Sequence, residues 1–425
     1  MKSRIYYGEY SLIHWIDLML KGNISLPEYQ RSFVWEEGDV KRLIKSLREG
    51  QFVQPVTIAR KDSDNIILDG QQRLTSILLA YLGYMPKKGE FQKVEIMADD
   101  DDSADDDDSA DDEKNVTDNK VIKWTFEELT EKNNGQNPKD IAKNIRDRLR
   151  DDSRYKKFTN DQSITLDFEN TCLGFSYIIP ESEDQSETQK FFSTLFRNMN
   201  YLGMKLSPIE SRRSLYYMDN DKTRFFEGKT EDGENVLDNI KINDKSIDFV
   251  RYLSILSQYS IHENHRIVLK GYSSYKSREG YYADYVSYIV GLEQENNNTK
   301  FDGFDLNKIF PDNCLNDRFN SLYNFIVQNK KNWGLEKNSW SSVIDADYWL
   351  FGLIYIIIFK GENISADKLD ELQEKIKGRI EAKKYEAKNN NNSYSKSPNR
   401  LGNLRERLDD SINIYIKPYY KEYAV

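Results

Sequence analysis

The sequence predicts an α+β domain over residues 1–230 and a mainly α-helical domain over residues 231–425. Three observations lead there. Early in the chain, apolar residues alternate between strand-like and helix-like spacing. From about residue 235 onward they recur almost only at helical spacing. Between these regimes no repeat of solenoid length interrupts the pattern.

The first helix is expected after Ser11, which can cap it, with Leu12, Trp15, Ile16 and Met19 inside and Gly22 as its stop. Ile24–Leu26 is a short extended piece before Pro27. Val40, Leu43, Ile44 and Leu47 mark a second helix that Gly50 ends. Pro55–Arg60 alternates like a strand, residues 61–65 form a turn, and Ile66–Leu68 is a second strand. Further on, Val121–Phe126, Ser163–Phe168 and Phe175–Ile179 read as strands, with a charged helix at Pro138–Arg150. Phe191, Phe192, Leu195, Phe196 and Met199 share one helical face. Ser207-Pro208-Ile209-Glu210 is a helix start with Ser as cap and Pro at the first position. The second half offers helices around Phe249–Leu256, Tyr281–Leu292, Phe319–Val327, Tyr348–Phe359, Asp367–Lys388 and Arg400–Tyr415.

Composition narrows the class. A chain of 425 residues suits two or three domains of about 150 residues each. The net charge of −10 is misleading, because residues 99–113 alone hold ten Asp and one Glu, and without those eleven the rest carries +1. That run cannot pack and is expected to be a disordered insertion, either a solvated tether or a mimic of nucleic-acid phosphates. Two cysteines, Cys172 and Cys314, make neither a disulfide framework nor a metal pattern and fit a reducing cytoplasm. The N-terminus MKSRIYYGEY has no apolar signal core. Tyr348–Phe359 is too short for a bilayer, which needs about 20 residues. A cytoplasmic chain without a membrane partner is expected.

The chemistry concentrates in Asp69-Gly70-Gln71-Gln72-Arg73, where a strand gives way to a helix whose inner face is Leu74, Ile77, Leu78 and Tyr81 and whose stop is Gly83. First-turn amides of such a helix attract anions. Gly70 admits a close ligand or backbone, Gln71 and Gln72 add amide donors, and the Arg73 fork suits a phosphate. A second reading needs no ligand: Asp69 and Gln72 have the spacing of a capping box. Tyr29, Gln30 and Arg31 after Pro27 offer stacking, an amide and a fixed charge, or form a plain surface loop. His262 and His265 share a helix face, but with His14 as the only other histidine a metal site does not assemble. No Walker loop is present.

The stretch Ile66–Ser76 resembles the signature of the GmrSD-type N-terminal domain family, Asp-Gly-Gln-Gln-Arg after an apolar strand. Leu26-Pro27-Glu28-Tyr29-Gln30-Arg31-Ser32-Phe33-Val34-Trp35 is similar to the family's Pro-x-Tyr-Gln-Arg element. Leu195-Phe196-Arg197-Asn198-Met199-Asn200 with Leu206-Ser207-Pro208-Ile209-Glu210-Ser211-Arg212 resembles its third block. The resemblance covers about the first half of the chain and implies a ParB/sulfiredoxin-like fold. It implies nucleotide hydrolysis in some relatives, DNA cleavage in others, and a prokaryotic restriction or anti-phage defence setting.

Carried onto this chain, that makes Asp69, Gln72 and Arg73 the catalytic candidates. Tyr29, Gln30, Arg31, Gly70, Gln71, Asn200, Glu210 and Arg212 become candidates for holding nucleotide or DNA phosphate. Asp69 would hold Mg2+, since a hard cation prefers carboxylate oxygen. The expected activity is nucleoside triphosphate hydrolysis coupled to DNA recognition. Its rivals are a DNA nickase or nuclease using Asp69 and Glu210, and a non-catalytic DNA-binding or partner-docking module. Relatives with an HNH nuclease carry it in the C-terminal half, where this chain has too few histidines. That leaves room for a separate nuclease or defence partner, and for a homo-oligomer.

Overall fold

The structure, a computed structural model, describes residues 3–27, 33–61, 64–91, 124–130, 137–158, 166–181, 184, 187–188, 191–192, 194–195, 208–217, 219–262, 275–292, 299–311, 314–333, 335, 338–389 and 401–416. It is mixed α/β with a helical C-terminal region. Two compact units emerge, one of residues 1–94 and 112–217 and a second that contains residues 218–425.

The first unit opens with β1 (Ser3–Ser11), a strand the sequence did not announce because its residues do not alternate in burial. Ser11 then caps α1 (Leu12–Leu20), its hydroxyl accepting from the His14 N–H. Leu12, Trp15, Ile16 and Met19 are buried as expected. Ser25 makes a short parallel bridge to Ile66, with Ser25 N–H donating to Asn65 O at 3.0 Å and Ile67 N–H to Ser25 O at 2.9 Å. α2 (Glu37–Arg48) buries Val40, Leu43, Ile44 and Leu47. β2 (Val56–Lys61) and β3 (Asp64–Asp69) form an antiparallel hairpin, and α3 (Gln71–Leu82) follows at once. Gly22, Gly50 and Gly83 sit at φ of 67°, 64° and 80° just past α1, α2 and α3, the helix-ending geometry expected of them.

β4 (Tyr84–Pro86) pairs with the later β5 (Tyr155–Lys157). Between them lie α4 (Glu127–Thr130) and α5 (Pro138–Asp151), the latter capped by the Asn137 side chain. β6 (Cys172–Pro180) enters the main sheet between β1 and β2, giving the order β1-β6-β2-β3. It runs antiparallel to β1 and parallel to β2. α6 (Pro208–Arg213) begins at the expected proline.

Two expected strands are corrected. The described parts of Val121–Phe126 and Ser163–Phe168 are loop and turn, not strand. Trp124 and Phe126 are buried, and Leu166 and Phe168 pack on the same core. Their apolar character is spent on plugging that core from a loop. The acidic run 99–113 lies outside the described residues.

The second unit is built on α7 (Asn220–Glu227), α8 (Phe249–His262), α9 (Tyr275–Val290), α10 (Leu306–Ile309), α11 (Leu315–Asn329), α12 (Val343–Ile354), α13 (Leu369–Asn389) and α14 (Leu401–Ile416). A two-residue pairing of β7 (Lys241–Ile242) with β8 (Ser339–Trp340) is parallel. α12 continues as a π-turn over Tyr355–Lys360, and almost every residue of both is buried, as a helix apolar all round must be. Gly352 lets α12 press against the Tyr415 ring and the Ser411 carbonyl of α14, where a Cβ has no room. Asp347 on α12 is fully buried. It accepts from Arg251 (2.6 and 3.0 Å), from Arg407 (3.1 and 3.0 Å) and from the Tyr252 hydroxyl (3.1 Å). Among the described residues no helix is long and apolar enough to cross a membrane.

Candidate functional site

The site is built where β3 ends. Ile66, Ile67 and Leu68 are buried in the sheet, and the β2–β3 register slips between Thr57 and Ile58, so Thr57 faces Asp69 while Ile58 faces Ile67. That bulge re-aims the strand end, as bulges next to functional sites do. Asp69 is thereby turned toward the loop ahead of β2. Gly70 follows at φ +103°, and a Cβ there would lie 2.9 Å from Val56 and 3.2 Å from the Arg73 guanidinium. Backbone conformation and space both demand glycine.

Gly70, not Asp69, is the N-cap of α3, and no side chain caps that end. The capping-box reading of Asp69 and Gln72 is therefore set aside. With Gly70 left-handed, the Asp69 carboxylate swings away from the first-turn amides. It accepts instead from Arg73 Nη2 at 3.0 Å and from Gln54 Nε2 at 3.4 Å. Arg73 Nη2 also donates to the Pro55 carbonyl at 3.2 Å, and Nη1 to Gln54 Oε1 at 3.4 Å. Asp69, Gln54 and Arg73 thus close a ring in which the pair Asp69–Arg73 keeps only 12% and 13% of its side-chain surface exposed. The Gln54 contacts are long for hydrogen bonds and exchange readily.

Gln72 faces the other way. Its Oε1 accepts from the Val34 N–H at 3.0 Å and from the Trp35 N–H at 3.4 Å, while Lys88 Nζ donates to the Val34 carbonyl at 2.6 Å. This ties α3 to the chain just after the Tyr29-Gln30-Arg31 motif. Ahead of that motif, Leu26 N–H donates to Glu127 Oε1 at 2.8 Å. Tyr29, Gln30, Arg31 and Asn200 themselves lie outside the described residues.

Three polar atoms in the first two turns of α3 are buried with no partner among the described residues: Gln71 Nε2, Arg73 Nε and Thr75 Oγ1. Gln71 is only 5% exposed and Thr75 fully buried. Each unsatisfied group costs about 1–3 kcal/mol, so their concentration at one helix start is a local debt that a polar ligand would settle. Gln71 and Thr75 are four apart and share a helix face.

Arg212 is buried on α6, beside Glu210 in sequence. Among the described residues the partners of Asp69 are Arg73 and Gln54, and those of Arg73 are Asp69, Gln54 and the Pro55 carbonyl, so Arg212 does not join that ring; the Glu210 side chain lies outside what is described. Gln54 and the Val34 amide escaped the sequence reading. They lie 15 and 38 residues from their partners, and no local pattern marks them. Among the described residues no three His, Cys, Asp or Glu side chains gather as a metal site would require.

The arrangement defines a mixed α/β domain with an arginine-bearing helix start at the end of a sheet strand. Residues 14–217 match the family model described as "GmrSD restriction endonuclease, N-terminal domain". A curated relative, an uncharacterized protein of Methanocaldococcus jannaschii, is 33% identical over 93 residues, covering 15% of this chain and 16% of that protein. The chain therefore spans less than a fifth of the relative it matches. No solved structure matches this chain.

Proposed function

We propose that the first unit binds and hydrolyses a nucleoside triphosphate at the Asp69–Arg73 turn, and that this is coupled to DNA recognition in restriction or anti-phage defence. The observation that carries the reading is the set of unpaired buried polar atoms, Gln71 Nε2 foremost, at the start of a twelve-residue helix that also presents Arg73. Helix amides and a guanidinium are the parts that neutralise phosphoryl charge. The site's position at a strand-to-helix switch agrees with a ParB/sulfiredoxin-like fold. The family's description as a restriction endonuclease supports DNA as the target.

In this reading a phosphate oxygen takes Arg73 Nη2 from Asp69, and the long Gln54 contacts let the guanidinium turn without breaking a strong bond. Asp69, released, offers one hard carboxylate. That donor set fits Mg2+, which is held by one or two carboxylates together with substrate phosphates and water; the ion would neutralise charge on the leaving phosphate. Gln71 donates its unpaired amide to the ligand. Gln72 keeps Val34 and Trp35 fastened to the helix.

The test is phosphate release from ATP, GTP, CTP and UTP with Mg2+, with and without DNA, for wild type and Arg73→Ala. Turnover that disappears in a folded Arg73→Ala protein is the expected result. A wild-type protein that neither binds nor hydrolyses any of the four, with or without DNA, overturns the proposal. Plasmid nicking by that inactive protein would point to the nuclease instead.

A further inference from the structure

We propose that Phe52 is the stacking platform for the nucleobase of the nucleotide held at the Asp69–Arg73 turn. This rests on the nucleotide reading above and adds to it the contact that holds the base.

Phe52 lies in the connection from α2 to β2 and is 88% exposed, more than any other large hydrophobic side chain of the described residues. A lone exposed apolar residue is ordinary by itself. Its place sets this one apart. Two residues on, Gln54 Nε2 donates to Asp69 and Gln54 Oε1 accepts from Arg73 Nη1, both at 3.4 Å, and the next carbonyl, that of Pro55, accepts from Arg73 Nη2 at 3.2 Å. The connection is therefore one wall of the site. Val53 packs on the core of the first unit, whereas Phe52 and Gln54 on either side of it are exposed. That is the alternation of an extended chain, and Pro55 favours it by keeping Gln54 out of the helical region. Phe52 thus leaves the backbone on the side from which Gln54 reaches Asp69 and Arg73, at most about 7 Å further along the chain.

The ring is also held out on a fixed base. Gly50 at φ +64° follows the end of α2, and Gln51 N–H donates to the Ser46 carbonyl at 2.9 Å. The Gln51 side chain accepts from the Ser46 hydroxyl at 3.1 Å and donates to Glu49 Oε2 at 3.0 Å. With Gln51 tied on one side and Val53 packed on the other, Phe52 keeps little freedom beyond its own side-chain torsions, so a ligand that covers it loses little entropy in ordering it. The occupant follows from the surroundings. Glu49, Gln51 and Gln54 are exposed and polar, and no other large hydrophobic side chain of this connection is exposed. A protein partner covers a contiguous patch, which the connection does not offer. A single flat ring beside polar groups suits a base, because every base has a π-face that stacks on an aromatic side chain. A nucleoside triphosphate carries the two matching parts, phosphates for Arg73 and a base for Phe52.

The test is calorimetric binding to the full chain, with Mg2+, of ATP, GTP, CTP and UTP, of inorganic tripolyphosphate, which has no base, and of a short single-stranded DNA. Wild type is compared with Phe52→Ala, Phe52→Trp and Arg73→Ala. Phe52→Ala is expected to weaken all four nucleotides by about fivefold or more, the share of one stacked base, with the larger loss for the purines. Its affinity for tripolyphosphate is expected to stay at the wild-type value, and Phe52→Trp is expected to bind nucleotides at least as well as wild type. Arg73→Ala is expected to weaken nucleotides and tripolyphosphate alike. Nucleotide affinity unchanged in Phe52→Ala, or an equal loss for tripolyphosphate, overturns the stacking role and leaves the phosphate site standing. A loss confined to the DNA gives the ring to a DNA base and overturns it too. Wild type that binds neither nucleotide nor tripolyphosphate overturns the phosphate site and this inference with it. Removing so exposed a ring leaves the core untouched, and an unchanged unfolding midpoint checks that.

Discussion

Asp69 in the first unit and Asp347 in the second each bind arginine, yet the two clusters are built to opposite ends. Asp347 and Arg407 have no exposed surface, both carboxylate oxygens are taken, and two guanidiniums and a tyrosine hydroxyl close the cluster. Water and ligands have no way in. Asp69 and Arg73 keep a little surface, their third member is a neutral amide at 3.4 Å, and the helix that carries Arg73 holds two other unpaired polar groups. The first arrangement makes sense only as a structural lock joining α8, α12 and α14. The second keeps a rim of surface that a polar ligand can reach. An Asp–Arg pair is not informative by itself; its access to solvent is what separates the closed cluster from the open one.

Breaking the lock gives the largest expected effect. Asp347→Ala leaves two buried guanidiniums facing each other and is expected to cost about 3–5 kcal/mol, read as a fall in the denaturation midpoint of the second unit. A loss below about 1 kcal/mol would remove the contrast. Next comes Gly70→Ala. A left-handed residue with its Cβ pressed on Val56 is expected to cost about 1–3 kcal/mol in the first unit, and also to abolish nucleotide binding by displacing Arg73. Binding that survives would show that the close approach at Gly70 serves packing alone. Gln72→Ala removes the acceptor of the Val34 and Trp35 amides and is expected to cost about 1–2 kcal/mol, with faster hydrogen exchange at those two amides as its signature.

The smallest effects on stability fall at Arg73 and Gln54. Arg73→Ala is expected to change unfolding free energy by about 1 kcal/mol or less, between an exposed pair and a closed one, while removing turnover. Should it destabilise as much as Asp347→Ala, the ring would be a second lock. Gln54→Ala loses only two long contacts. It is expected to leave the midpoint nearly unmoved and to weaken nucleotide affinity by less than Arg73→Ala does; an unchanged affinity would take Gln54 out of the site.

Much of this was legible in the chain. Ser11 as a cap, Gly22, Gly50 and Gly83 as stops, the inner faces of α1, α2 and α3, and the break from strand to helix around Gly70 all depend on residues within one or two turns of each other. Periodicity and capping report such local facts directly. The helices of the second half were readable for the same reason, and the motifs flanking Asp69 pointed to the family that residues 14–217 match.

What the sequence by itself determined is therefore the local grammar: where helices begin and end, and the switch from strand to helix around Gly70. Tertiary structure decided the rest. β6 lies between β1 and β2 although it follows β2 by more than a hundred residues, and this insertion turns an unpatterned N-terminus into a strand. Trp124, Phe126, Leu166 and Phe168 plug a core from loops rather than joining the sheet. Asp69 gives up the helix cap for Arg73 and Gln54, and Gln72 reaches across to Val34. Those outcomes rest on which distant segments close on one another. The closing is set by sheet order and the sum of burial over the whole unit, quantities that no window of neighbouring residues contains.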